Sequence, residues 1–355
     1  MHMRNDFFFI SLVILYAFNL NSCSGNKDTL EPCQFDNPVA TGHDPWVIKK
    51  EDTYYFIESR GRGLYVSETK ELTLIKANQK QIWQLYGSGW NQHNLWAPEL
   101  HYLEGKWFVY YAAGKSGPPY TSQRSGVLEA VTDDPLGEYT DKGILYTGDN
   151  IETGDDNKWA IDLTVLDLND QLFAIWSGWE ENRDTDKTPQ HLYIAKMENP
   201  WTISSNRVRL SSPEEHWETG GQLDIQEGPQ VLINDDDDIL IIYSTRESWM
   251  PAYRLGQLRL KNRNADPMDP DKWEKSGPVF TGTKEVHGVG HACFTKSPDG
   301  KENWIIYHTK ADTEPGWERL IHMQPFTWNE YGSPDFGEPL SPGVPITKPS
   351  GECIY

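Results

Sequence analysis

Five polar residues recur along this chain at near-equal spacing: Asp44 in GHDPWV, Glu99 in LWAPEL, Asp162 in AIDLTV, Glu227 in QEGPQV and His291 in GVGHACF. Successive gaps are 55, 63, 65 and 64 positions. Four of the five are carboxylates, and carboxylates in concert cleave glycosides. Inverting hydrolysis needs one ionised carboxylate to deprotonate water and one protonated carboxyl to donate to the leaving oxygen, about 6.5–9.5 Å apart. A third negative charge near the acid raises its pKa, because like charges resist joint ionisation. Asp44, Asp162 and Glu227 are the candidates for that triangle.

Each residue also has a plainer reading. Asp44 precedes Pro45, which restricts its backbone, and alone it reads as an Asp at a turn. Asp162 interrupts the apolar run Trp159–Val165, where an unpaired carboxylate is costly, so it is either partnered or functional. Gly228 beside Glu227 permits close approach of backbone or substrate. Glu99 is a sugar contact or a structural hydrogen-bonding partner. His291 either orients the acids or ligates a calcium ion or water; a lone histidine argues only weakly for metal, and the set does not match a zinc site. Among Trp46, Trp96, Trp176 and Trp179, only Trp96 stands out as a wall for a sugar ring, because it lies three positions before an anchor. Arg319 is a candidate for a sugar hydroxyl or a site carboxylate, or equally for a surface ion pair.

Elements that gather such residues must repeat with the same period. After each anchor comes an aromatic or β-branched run: YYFIES from Tyr54, KWFVYYA from Lys106, LFAIWSG from Leu172, ILIIYST from Ile239 and NWIIYHT from Asn303. Turn signals stand between the last four anchors and their runs: Glu104-Gly105, Asn169-Asp170, Asp235–Asp238 and Pro298-Asp299-Gly300. Anchor and run therefore occupy neighbouring strands of a hairpin. The expected fold is all-β, a five-bladed β-propeller over residues 34–355, with an extra strand from Gln34–Ala40 closing the ring against the last blade. The acidic Asp235–Asp238 run reads as a solvated hairpin tip.

Fifteen Trp, seventeen Tyr and twelve Phe in 355 residues require a folded body. A net charge of −21 disfavours nucleic acid as a partner. Arg4 followed by the apolar stretch Phe7–Leu20 reads as a targeting segment, residues 1–22, too short to span a bilayer. Leu20-Asn21-Ser22-Cys23 resembles a bacterial lipobox, which implies export, a lipid anchor on Cys23 in a periplasmic or cell-surface membrane, and a tether over 23–33. An ordinary secretory signal is the other reading. Cys33 and Cys353 flank the ring, so a bridge between them is one expectation and two free thiols the other. Cys293 reads as a packing residue.

These motifs resemble glycoside hydrolase family 43. The resemblance rests on DPWV at Asp44, WAPEL at Glu99, WAID at Asp162, EGPQV at Glu227 and GHACF at His291, with WSGWE, NPWT and QPFTW between and after them. It implies an inverting five-bladed enzyme acting on arabinose- or xylose-containing glycans. By resemblance Asp44 is the general base, Glu227 the general acid and Asp162 the modulator of the acid's pKa. His291 would face a channel calcium or water, and Arg319 would lie by the substrate. No cofactor is required for turnover. The combination is most similar to the exo-acting α-L-arabinofuranosidase branch, which implies an arabinose-containing plant polysaccharide or oligosaccharide as partner. β-Xylosidase, endo-arabinanase and a non-catalytic glycan-binding propeller are the rivals. Ala292-Cys293 departs from the Asn-Ser that relatives often carry after the histidine.

Overall fold

The computed structural model describes residues 33–353. The expected signal segment, Cys23 and nearly all of the tether lie outside the described residues. Strands β1 (Gln34–Phe35) and β2 (Ala40–Thr41) open the chain. Blade one holds β3 (Trp46–Lys50), β4 (Thr53–Arg60), β5 (Gly63–Thr69) and β6 (Lys80–Gln84); blade two holds β7 (His93–Leu103), β8 (Lys106–Gly114), β9 (Arg124–Ala130) and β10 (Tyr139–Ile144). Blade three holds β11 (Ala160–Leu168), β12 (Gln171–Gly178) and β13 (His191–Asn199), with β14 (Thr202–Ile203) and β15 (Val208–Ser211) both paired to β13. Blade four holds β16 (Gln226–Ile233), β17 (Ile239–Thr245), β18 (Arg254–Leu260) and β19 (Trp273–Thr281). Blade five holds β20 (His287–Lys296), β21 (Asn303–Lys310) and β22 (Arg319–Trp328), the last extended by β23 (Pro334–Asp335).

The ring closes as the sequence leads one to expect. The outermost strand of blade five is β2, with Ala40 opposite Ile321 and Thr41 opposite Leu320. A further pairing joins β1 to β24 (Ile346–Thr347). The innermost strands β3, β7, β11, β16 and β20 touch in that order, and β20 returns to β3. The five anchors thus surround one axis, and the architecture is a five-bladed β-propeller.

Blades are covered on both faces, so their middle strands are mostly apolar: every residue of β17, Ile239–Thr245, is buried. Between blades one and two lie Leu64, Trp83, Trp107 and Tyr111. Between three and four lie Phe173, Ile194, Ile241 and Tyr243. Trp304, Ile306 and Cys293 of blade five pack on Val47, Tyr54 and Phe56 of blade one. Truncating one such aromatic to alanine costs about 3–5 kcal/mol. Cys293 is a free, buried thiol whose pKa burial drives far up, as befits a packing residue. Cys33 and Cys353 are each disulfide-bonded. The Asp235–Asp238 turn is a solvated tip in which Asp237 pairs with Arg263 and Asp238 with Arg259.

Strands alternate in direction within each blade. The turns joining second to third strands and the connections between blades therefore emerge together, at the end where the innermost strands begin. All the site residues lie there.

Candidate active site

Four innermost strands carry the same irregularity. Trp96 and Glu99 are opposite Ala112 and Tyr110; Ile161 and Thr164 are opposite Ser177 and Ile175; Glu227 and Gln230 are opposite Ser244 and Ile242; Gly290 and Cys293 are opposite His308 and Ile306. Each is a bulge that inserts one residue and re-aims the side chains around it. The second residue of each is left-handed: Ala97 (φ 41°), Asp162 (54°), Gly228 (54°) and His291 (44°). In blade one Asp44 (φ 47°) takes the same conformation just before β3. A non-glycine residue in this region is uncommon and is held there by its surroundings.

This alignment corrects the assumption that the five anchors share one structural phase. Asp44, Asp162 and His291 occupy the left-handed position. Glu227 stands one residue before it, at the position of His43, Trp96 and Ile161. Both positions face a cavity of about 730 Å³ whose lining includes His43, Asp44, Trp96, Ile161, Asp162, Glu227 and His291. Glu99 falls two residues past Ala97 and does not line that cavity. It is 2% exposed, accepting from the Gln230 side-chain amide and paired with His101 Nε2 at 2.8 Å. The expectation of a sugar contact at Glu99 gives way to the structural one: it ties blade two to blade four.

Asp44 and Glu227 are driven to opposite protonation states. Burial pushes the Asp44 carboxyl up, but His291 and His43 beside it outweigh that and hold it well below the usual carboxylate range. His43 Nδ1 bonds Asp44 Oδ2 at 2.9 Å and is itself raised by the Asp44 charge. His291 Nδ1 lies 3.4 Å from Asp44 Oδ1, but burial lowers the pKa of both His291 and His308, the latter to about 3. The Asp44 N–H donates to His308 Nδ1 at 3.1 Å, which puts that ring's proton on Nε2.

Burial raises Glu227 to about 7, against the pull of the Tyr253 hydroxyl and the Arg319 charge. Asp162 is also raised well above its ordinary value, by burial first and then by the Glu227 and Asp44 charges, while the Gly228 N–H donates to its Oδ2 at 3.0 Å. Two buried carboxyls this close titrate as a pair and keep a proton into the neutral range.

Tyr253 has no counterpart in the sequence reading. Its buried hydroxyl donates to Glu227 Oε1 at 2.9 Å, so a proton held by this carboxyl resides on Oε2. Burial and the Glu227 charge raise the phenol far above its ordinary value, so it stays a donor. The ring stacks on His308 at 5.5 Å and 13°. Gly290 makes room for it, since a Cβ there would meet the ring at 2.2 Å. That close approach is the physical reason for glycine in GVGHACF.

The aromatic expectations divide. Trp96 lines the cavity, edge-on to Tyr120 at 5.0 Å. Trp176 and Trp179 are fully buried, the latter stacked on Trp159 at 4.4 Å and 2°. Trp46 donates to the Leu100 carbonyl and packs on His101. These three are packing residues. Trp159, Trp249 and Trp317 line the cavity instead. Arg319 lies in the cavity wall, its Nε donating to the Ser248 carbonyl at 3.3 Å. Its buried Nη2 has no partner among the described residues, which leaves a donor for a sugar hydroxyl.

His291 is the residue the sequence offers to a channel calcium or water. Such an ion takes six to eight oxygen ligands. Among the described residues no group of three or more His, Cys, Asp or Glu is placed to hold a metal, and His291 Nδ1 faces Asp44.

Over residues 35–334 the chain matches the model of glycosyl hydrolases family 43. It is 33% identical over 325 residues to the extracellular exo-α-(1→5)-L-arabinofuranosidase of Streptomyces avermitilis, covering 87% of this chain and 64% of that protein. To α-L-arabinofuranosidase 43 of Humicola insolens it is 31% identical, covering 84% and 62%. The chain thus spans just under two thirds of the length of these relatives. The crystal structure of α-L-arabinofuranosidase from Lactobacillus brevis superposes with a TM-score of 0.77 at 31% identity, over 86% of this chain and 97% of that one. Blade order, bulged acids and sequence agree, and the chain belongs to glycosyl hydrolases family 43.

Proposed function

We propose that this protein removes terminal α-L-arabinofuranosyl units from arabinan-type saccharides with inversion of configuration. The observation that carries the reading is the split between its two cavity carboxyls: Asp44 held ionised, Glu227 held protonated to about pH 7. Glu227 donates the Oε2 proton to the glycosidic oxygen as the bond to the anomeric carbon breaks. Asp44 takes a proton from the water whose oxygen attacks that carbon from the opposite face. Asp162 keeps the proton on Glu227 by resisting a second charge. Trp96 flanks the sugar, and Arg319 offers its unused Nη2. Preference for arabinose over xylose rests on the relatives' names and on their similarity to this chain.

The test is a panel of nitrophenyl pentosides beside arabino-oligosaccharides of defined linkage, with the released anomer followed by NMR. The expected product is free arabinose, released first as the inverted anomer. No turnover on any pentoside, or a retained anomer, overturns the reading; release of oligosaccharides overturns the exo part. We further propose export with lipid attachment at Cys23, supported by Leu20–Cys23 and by the extracellular naming of the Streptomyces relative. Incorporation of labelled fatty acid should be lost in Cys23→Ser, and equal incorporation by both proteins refutes it.

A further inference from the structure

The cavity rim is a stitched wall on four blades and open on the fifth. In blades two to five the second and third strands are joined by long loops: residues 115–123, 179–190, 246–253 and 311–318. In blade one the same connection is the two-residue turn Gly61-Arg62. Hydrogen bonds join the long loops and the connections between blades into a continuous barrier. The Tyr120 N–H donates to Asp186 Oδ2 at 3.1 Å, linking blades two and three. The Gln190 N–H donates to the Asp224 carbonyl at 3.1 Å, and the Leu223 N–H to Glu247 Oε1 at 2.9 Å, linking three to four. The Gly316 N–H donates to the Trp249 carbonyl at 2.9 Å, where Trp249 and Trp317 also pair, linking four to five.

Blade one contributes only His43, Asp44, Ser59 and Gly61 to the lining. Outward of its turn the chain is held by Arg62. Arg62 donates to the Leu85 and Gln92 carbonyls at 3.0 and 2.8 Å, and the Leu85 N–H returns to the Arg62 carbonyl at 2.9 Å. Next to Leu85 stands Tyr86, 70% exposed and supported edge-on by Trp83 at 5.8 Å. A lone exposed aromatic means little. This one directly follows β6, the outermost strand of blade one, on the sector of the rim whose connection is shortest.

We infer that the leaving-group side of the saccharide exits over the Gly61-Arg62 turn of blade one and stacks a sugar ring on Tyr86. This rests on the glycosidase reading above and adds a binding site for the non-cleaved part of the glycan. Sugars present apolar C–H faces, and a rigid aromatic ring binds them at low entropic cost.

The experiment compares kcat/KM for 4-nitrophenyl α-L-arabinofuranoside and for arabino-oligosaccharides from dimer to pentamer. The proteins are wild type, Tyr86→Ala, and a variant with Gly-Ser-Trp-Gly inserted between Gly61 and Arg62, at a turn where insertions are tolerated. Expected is a loss of about three- to tenfold on the longer oligosaccharides in Tyr86→Ala, the scale of an aromatic stacking pair, and a larger loss with the insert. The nitrophenyl substrate should change less than about twofold in Tyr86→Ala. Unchanged oligosaccharide kinetics in both variants, or equal losses on both substrates in correctly folded protein, overturns the exit. Binding of the same oligosaccharides to Glu227→Gln protein, with and without Tyr86→Ala, read by tryptophan fluorescence, separates the two failures. Chain-length-dependent binding through Tyr86 without arabinoside cleavage keeps the exit and sinks the activity. Length-independent binding sinks the exit.

Discussion

Removing one hydroxyl should move the pH profile of the proposed hydrolysis upward. Tyr253 donates to Glu227 Oε1 at 2.9 Å in a buried setting, and a hydrogen bond to a carboxylate stabilises the ionised form. Tyr253→Phe removes the donor but keeps the ring that stacks on His308. Hydrogen bonds to charged groups contribute about 1.5–3 kcal/mol, and one pKa unit corresponds to about 1.36 kcal/mol. The Arg319 charge and the Ser248 hydroxyl also favour the Glu227 carboxylate and can take up part of the loss, so a net rise of about one unit is expected. The acid then loses its proton near pH 8 instead of about 7. The assay is kcat/KM against pH, which reports the free enzyme, on an arabinoside with a poor leaving group. The alkaline limb should move up by about one unit while the acidic limb, set by Asp44, stays in place. Plateau turnover should also fall, because Oε2 is no longer oriented. An alkaline limb that stays put or moves down, in protein with native near-ultraviolet dichroism, refutes the assignment of Tyr253 and of Glu227 as the acid it serves.

Three other outcomes follow from the same geometry. Glu227 has a folded pKa of about 7 against an ordinary 4.5, so between those values the folded protein holds a proton that the unfolded chain lacks. Its contribution is whole below the unfolded value and is lost as pH rises through the folded one; Glu227→Gln should therefore be more stable than wild type at pH 8, by on the order of 3 kcal/mol, with a smaller gap at pH 5. Urea melts at the two pH values check this, and a gap independent of pH refutes it. Asp162→Asn should lower the alkaline limb of the rate profile, because the carboxyl that opposes ionisation of Glu227 is gone; a limb that rises would show that Asp162 acts otherwise. Gly228→Ala places a Cβ 3.1 Å from His291 Nδ1 at φ 54°. It should lower stability by about 1–2 kcal/mol and reduce turnover, as thermal melts and initial rates will show; an unaltered melting temperature excludes strain at this bulge.

Most of the architecture was legible because its determinants are local. Runs such as Ile239–Thr245 can bury both faces only as the middle of a stack, and Glu104-Gly105 and Asn169-Asp170 turn the chain where the hairpins turn. Glu104, Gly105, Asn169 and Asp170 all have positive φ in the structure, as both central residues of a tight two-residue hairpin turn must. The ring closure was legible for the same reason, since an unpaired β22 edge needs a strand and the N-terminal segment supplies one. Tyr253, Trp249 and Trp317 were not legible. They sit in loops between second and third strands, away from the five anchors in sequence, and only the folded blades bring Tyr253 onto Glu227 and the two tryptophans to the cavity.

Register was the subtler failure, and its cause bears on how such repeats are read. Equal spacing suggested that Glu99 and Glu227 were equivalent, but a bulge inserts one residue into each strand. Two consecutive positions then face the cavity instead of alternate ones, and Asp162 occupies the second where Glu227 occupies the first. A signal for this was present. Pro45, Pro98 and Pro229 each follow the left-handed residue directly, and proline within a central strand marks a bulge because it cannot donate to the ladder. Counting from those prolines places Asp44, Ala97 and Gly228 in one phase. Glu227 then falls one step before the kink, facing the cavity, and Glu99 one step beyond the proline, behind it. In blades one, two and four the cavity-facing carboxylates Asp44 and Glu227 are thus told apart from the buried Glu99 by their place relative to a proline, whereas Asp162 has no such marker beside it, and the repeat period fixes only the blade to which each belongs.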